Sequence, residues 1–158
     1  MNELHTLIIV SAITGAGLIT GLLFAFSNFV MKALAELPAD KGMYAMQRIN
    51  IWIVNPLFML LFTGTPVLCL LISTYALFDI NTPGSLYLLT GSILYLIGPF
   101  GVTLMLNVPL NNLLARTDIS NADEVWPMYQ KKWQYWNHIR TYLGVVSMVI
   151  LILGITRL

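Results

Sequence analysis

Apolar residues along this chain fall in four long stretches free of Asp, Glu, Lys and Arg: Leu4 to Met31, Ile49 to Phe78, Ile80 to Ala115 and Thr141 to Thr156. A helix crosses about 30 Å of hydrocarbon in about 20 residues, so each stretch holds one span. The predicted boundaries are 5–31, 55–78, 85–108 and 137–156. Pro56 suits the first turn of the second helix, where its missing N–H costs nothing. Asp79-Ile80-Asn81-Thr82-Pro83-Gly84 is dense in turn formers and predicts a tight connection between spans two and three. The other two connections are longer and amphipathic. Leu37-Pro38-Ala39-Asp40-Lys41 opens a short helix through Met43, Met46 and Ile49. Asn121-Ala122-Asp123-Glu124 reads as a cap and acidic first turn, leading through Trp126 and Tyr129 to Trp133 and on into span four. The pattern predicts an all-α membrane protein: one domain, residues 1–158, forming a four-transmembrane-helix bundle with two amphipathic cytoplasmic segments.

Composition agrees. The chain is 58% hydrophobic and 9% charged, against about 25% charged in soluble domains. A net charge of +1 gives no electrostatic reason for a nucleic-acid partner. The single cysteine, Cys69, lies in an apolar run and cannot form an intrachain disulfide, so it leaves the redox compartment open. The first apolar run is longer than a signal-peptide core and no Lys or Arg precedes it, which makes it a retained span. Lys32, Lys41, Arg48, Arg116, Lys131, Lys132 and Arg140 lie in or beside the long connections, whereas the 79–84 turn has no cation. The positive-inside rule then puts both long connections in the cytoplasm and both termini outside, with only Arg157 against it. The expected setting is an integral one in a bacterial inner membrane, with membrane lipids as neighbours.

Polar residues gather at one end of the spans. Asn28 closes the first, Asn55 opens the second, Asn107 and Asn111 close the third, and Asn137, His138 and Arg140 open the fourth. Polar groups at bilayer depth are costly, so their convergence marks a candidate site. On a helix, Tyr129, Trp133, Trp136, Asn137 and Arg140 share a face, with Gly144 and Ser147 continuing it into the span. Trp136 and Arg140 are spaced for a cation–π pair. The bland alternative is an interfacial aromatic belt with snorkelling cations.

His138, about 100° around from Asn137, is the natural general base, or else an inert surface histidine. Arg48 and Asn50 add a cation and an amide ahead of span two. The asparagines can orient a carbonyl or hydroxyl ligand, or tie helices together. No second histidine or carboxylate stands at ligand spacing, so no metal site is expected; a haem on a single histidine stays open with nothing arguing for it, and the expected cofactor is none. Gly17, Gly21 and Ala25 form a small-residue stripe for close packing, within the bundle or in a homo-oligomer. Pro66 and Pro99 predict kinks in spans two and three. The two halves of the chain echo each other weakly, Asn28-Phe29-Val30-Met31 against Asn107-Val108-Pro109-Leu110.

These residues together resemble the anthrone oxygenase family of small membrane proteins. The likeness is carried by Ala25-Phe26-Ser27-Asn28-Phe29-Val30-Met31, Met46-Gln47-Arg48-Ile49-Asn50, Asn55-Pro56-Leu57-Phe58, Asn107-Val108-Pro109-Leu110-Asn111, and Trp133 with Trp136-Asn137-His138 and Arg140. The resemblance implies cofactor-independent oxidation of an aromatic or quinone-type molecule on the cytoplasmic side. His138 and Arg140 are then catalytic, His138 as base and Arg140, or else Arg48, as oxyanion partner. Asn28, Arg48, Asn50, Asn55, Asn107, Asn111, Trp133, Trp136 and Asn137 line the substrate. The competing expectation is a non-catalytic module that binds a lipid or hydrophobic metabolite, or a subunit of a membrane assembly. A transporter ranks last, because no buried carboxylate suggests proton coupling.

Overall fold

The computed structural model describes residues 3–158, and among these there are helices and turns but no strands. Helix α1 is Glu3–Ala35, α2 is Ala39–Trp52, α3 is Pro56–Phe78, α4 is Ser85–Arg116 and α5 is Ala122–Ile155. All but α2 are long and apolar enough to cross a membrane. These four close a ring in which α1 packs on α3 and α5, and α4 packs on α3 and α5. Helix α2 lies across the end with the two long connections, against α5 and the ends of α1 and α4.

The boundaries follow local chemistry. Asn55 caps α3, its Oδ1 accepting from the Phe58 N–H at 3.0 Å, and Pro56 takes the first turn. Gly84 begins α4 at φ +95°, a left-handed conformation that a Cβ disfavours. At the start of α5 the expected Asn121 side-chain cap does not form. Asp118 caps instead, accepting from the backbone N–H and the hydroxyl of Ser120 at 2.9 and 2.7 Å and starting the 3₁₀ turn Ile119–Asn121. These hydrogen bonds to the ionised carboxylate hold the Asp118 pKa below its ordinary value.

Two helices are not α throughout. Helix α1 contains a π segment, Phe26–Val30, and α4 a longer one, Leu96–Asn107. Pro99 has no N–H to give, and the wider π winding accommodates it. Pro66, in contrast, is buried within an unbroken α3.

The packed interior has distinct layers. Met31, Leu34, Met43, Met46, Leu114, Trp126, Tyr129 and Trp133 fill the end with the long connections. Ile9, Ala12, Ile72, Ala76, Leu88 and Leu151 fill the other. Between α4 and α5, Leu151 sits over Gly91 and Leu88 over Gly154, glycines whose lack of a Cβ lets the backbones approach. The close contacts of α1 run through Ala12, Gly15 and Ala16, and of the expected Gly17–Gly21–Ala25 stripe Gly17 lies against Met148 of α5. Gly21 faces open space.

Candidate functional site

Three helices meet at Arg140, and both π segments contribute. The Arg140 side chain is 5% exposed. Its Nε and Nη2 donate to Asn137 Oδ1 at 3.0 and 2.8 Å, and its Nη1 donates to Thr103 Oγ1, in the α4 π segment, at 2.8 Å. Thr103 in turn donates to the Pro99 carbonyl within that segment. Asn137 Nδ2 donates to the Leu23 carbonyl at 2.9 Å and to Ser27 Oγ, in the α1 π segment, at 2.7 Å. The Arg140 guanidinium also lies over the Trp133 ring, 5.0 Å from its centroid.

Beside this, Asn111 Oδ1 accepts from the Tyr129 hydroxyl at 2.9 Å and from Trp133 Nε1 at 2.8 Å. Fully buried Asn107 donates to the Trp133 carbonyl at 3.1 Å. Phe26 packs on the Trp133 ring at 5.4 Å. Asn50, from α2, stands beside the Tyr129 hydroxyl.

Electrostatically the centre is unbalanced. A buried cation is normally paired with an anion, because desolvating it alone is expensive. Every acid of the chain, at positions 3, 36, 40, 79, 118, 123 and 124, lies in a connection or at a helix end. Among the described residues the ion pair is the surface contact Lys41–Asp40 at 3.3 Å, and Arg140 has no carboxylate partner. A guanidinium has five N–H groups, and three find acceptors here, which leaves two without a protein partner among the described residues. Asn107 Oδ1, Asn50 Nδ2 and Thr20 Oγ1 are likewise buried without a hydrogen-bond partner. The centre can therefore accept an anionic oxygen and offers further polar atoms to its neighbours.

Of the residues expected from sequence, the structure brings together Asn50, Asn107, Asn111, Trp133, Asn137 and Arg140. The others fall elsewhere. Asn28 is exposed, and Ser27, one residue earlier, takes its place on the inner face. Arg48 is exposed and stacks on Trp52 with 6.0 Å to the ring centroid. Asn55 spends its side chain on the backbone of the α3 cap, adding bonds to the carbonyls of Trp52 and Ile53.

Trp136 is not the cation–π partner of Arg140. It packs edge-on to Tyr135 and, with exposed His138, lines a shallow depression on the outside of α5. Rotation accounts for His138, which lies about 200° from Arg140 around an α-helix, whereas Trp136, one turn before Arg140, has the spacing but turns its ring onto Tyr135. Ser27 and Thr103 were missed, although Ser27 stands one turn beyond Leu23 and Thr103 one turn beyond Pro99. Among the described residues no three His, Cys, Asp or Glu side chains come together to hold a metal ion.

A family model described as anthrone oxygenase matches residues 58–150, more than half of the chain, including α4 and the segment of α5 that carries Trp133, Asn137 and Arg140. No curated protein and no solved structure matches the chain.

Proposed function

The chain belongs to the anthrone oxygenase family, and from that premise we propose that its Arg140 centre binds the enolate or phenolate of a flat aromatic or quinone-type molecule and directs its reaction with O₂. The observation that carries this reading is the buried guanidinium without a carboxylate partner. Such a cation attracts an oxyanion strongly in a dry site. The enolate carbon gives its electrons to O₂ and forms a C–O bond. The peroxide anion takes back from water the proton lost on forming the enolate, and the hydroperoxide loses water, so that CH₂ and O₂ become C=O and H₂O. Arg140 holds the oxyanion, Trp133 presents an aromatic edge, and Asn107 and Asn50 meet the remaining oxygens.

With His138 on the outer side of α5, deprotonation is assigned to the membrane surface, and Arg140 selects the anion. By the positive-inside rule the end with the long connections faces the cytoplasm of a bacterial inner membrane.

A second reading has support in the same bonds. Asn137 ties α1 to α5 and Asn107 ties α4 to α5, so the network also suits a non-catalytic module that holds a hydrophobic metabolite. Oxygen uptake by protein purified in mild detergent, given a hydroxylated anthrone, separates the two. Enzyme turnover falls by about 10²-fold or more in Arg140→Gln, the usual scale for losing an oxyanion donor, while His138→Ala keeps it. A folded Arg140→Gln protein with unchanged turnover sinks the oxyanion role, and a haem or flavin absorbance spectrum sinks the cofactor-independent reaction. Binding without O₂ uptake leaves the non-catalytic module.

A further inference from the structure

The outer face of α5 carries a second feature that the Arg140 centre does not use. Lys131, Lys132, Tyr135, Trp136 and His138 help to wall a shallow open depression of about 1010 Å³, and no carboxylate lines it. Lys131, Lys132 and His138 are exposed there. Directly along the helix, exposed side chains continue at steps of three and four: Tyr135 (59%), His138, Tyr142 (69%), Val145, Val149 and Ile152. From Tyr142 onward this column is apolar apart from one phenol. Ten residues separate Tyr142 from Ile152, about 15 Å of helix, which is one leaflet of a hydrocarbon core of about 30 Å.

A cationic, donor-rich head over an apolar column one leaflet long has the shape and charge order of an anionic amphiphile. We propose that this face of α5 is a binding site for an anionic phospholipid. Its phosphate is held by Lys131, Lys132 and His138, its glycerol region lies against Tyr135 and Trp136, and one acyl chain runs along Tyr142, Val145, Val149 and Ile152. A second copy of the chain fits the same column poorly. Copies in one membrane share an orientation, so a two-fold contact through α5 brings both sets of Lys131 and Lys132 to one depth, cation against cation.

The test is native mass spectrometry of the full chain from a neutral detergent, titrated with phosphatidylglycerol or with phosphatidylcholine of the same acyl chains. The expected result is preferential retention of phosphatidylglycerol, lost by about 30-fold in K131Q/K132Q and kept in the control K32Q/K41Q. All four lysines are exposed, so folding is not at risk. Glycerol 3-phosphate should compete poorly, since it lacks the acyl chain. Equal retention of the two lipids, indifference to K131Q/K132Q, or full competition by glycerol 3-phosphate overturns the proposal. So does a dimer that persists with lipid and is split by Val149→Asn, which gives the column to a second copy.

Discussion

Replacing Asn137 by alanine tests the central network most directly. Asn137 donates to Leu23 and Ser27 across the α1–α5 contact and accepts twice from Arg140. Hydrogen bonds between membrane helices average about 0.6 kcal/mol, so the two donated bonds contribute about 1 kcal/mol. The accepted pair is different, because its loss leaves the guanidinium with Thr103 as its remaining protein acceptor. Stranding a buried charge costs about 3 kcal/mol or more.

The expected loss for Asn137→Ala is therefore about 4 kcal/mol. In an Arg140→Met background the same change should cost only about 1 kcal/mol, which makes the coupling about 3 kcal/mol. Reversible unfolding in mixed micelles, titrated with SDS and followed by tryptophan fluorescence, measures all four corners of the cycle. Trp133 lies within the network and reports its loss. A coupling below about 1 kcal/mol refutes the argument, since Asn137 would then be ordinary interhelix glue and the guanidinium would be stabilised elsewhere.

Four further expectations can be checked in the same preparation. Asn111→Leu strands the Tyr129 hydroxyl and Trp133 Nε1 together, and should cost about 2 kcal/mol or more in the same unfolding assay. Gly91→Ala places a Cβ 2.8 Å from Leu151 Cγ and 3.1 Å from the Leu151 backbone nitrogen, for an overpacking cost of about 1–3 kcal/mol. Gly21→Ala, facing open space, should be neutral or stabilising in a parallel thermal melt. The Ser120 amide resonance should titrate with a midpoint below the ordinary Asp value, because the Asp118 carboxylate it donates to is held low. A lowered folded pKa means that the cap contributes stability above the unfolded pKa and loses it as pH falls through the folded one.

The spans were legible because length and lack of charge suffice to place a helix in hydrocarbon. Their rotation was not. In α1 every turn is apolar, so hydrophobicity has no contrast by which to prefer Ala12, Gly15 and Ala16 over Gly17 and Gly21 as the inner face. Ser27, mistaken for Asn28, belongs to the same ambiguity, sharpened by a π segment that shifts the helical phase where it matters. Helix α5 was easier. Its connection-side half mixes Lys131, Lys132 and Tyr135 outside with Tyr129, Trp133 and Asn137 inside, and that contrast fixed the phase of Arg140. Trp136 has the four-residue spacing to Arg140 but its ring packs on Tyr135, and His138, two residues before Arg140, is carried to the outer side. Asn55 illustrates a different limit, since an asparagine before a proline is as good a cap as a ligand, and here it caps.

Helix α5 runs unbroken from Ala122 to Ile155, and neither Gly nor Pro interrupts it between Met128 and Leu143. That stretch behaves as a single rod carrying Lys131 and His138 on one side and Asn137 and Arg140 on another. Side-chain tips lie roughly 5–6 Å from such an axis, so a roll of about 20° sweeps them through about 2 Å. A sweep of that size is enough to part the 2.8 Å bond between Arg140 and Thr103. Whatever grips the outer face of the rod therefore also sets the angle at which its inner face meets α1 and α4, with the torque carried by the helix itself.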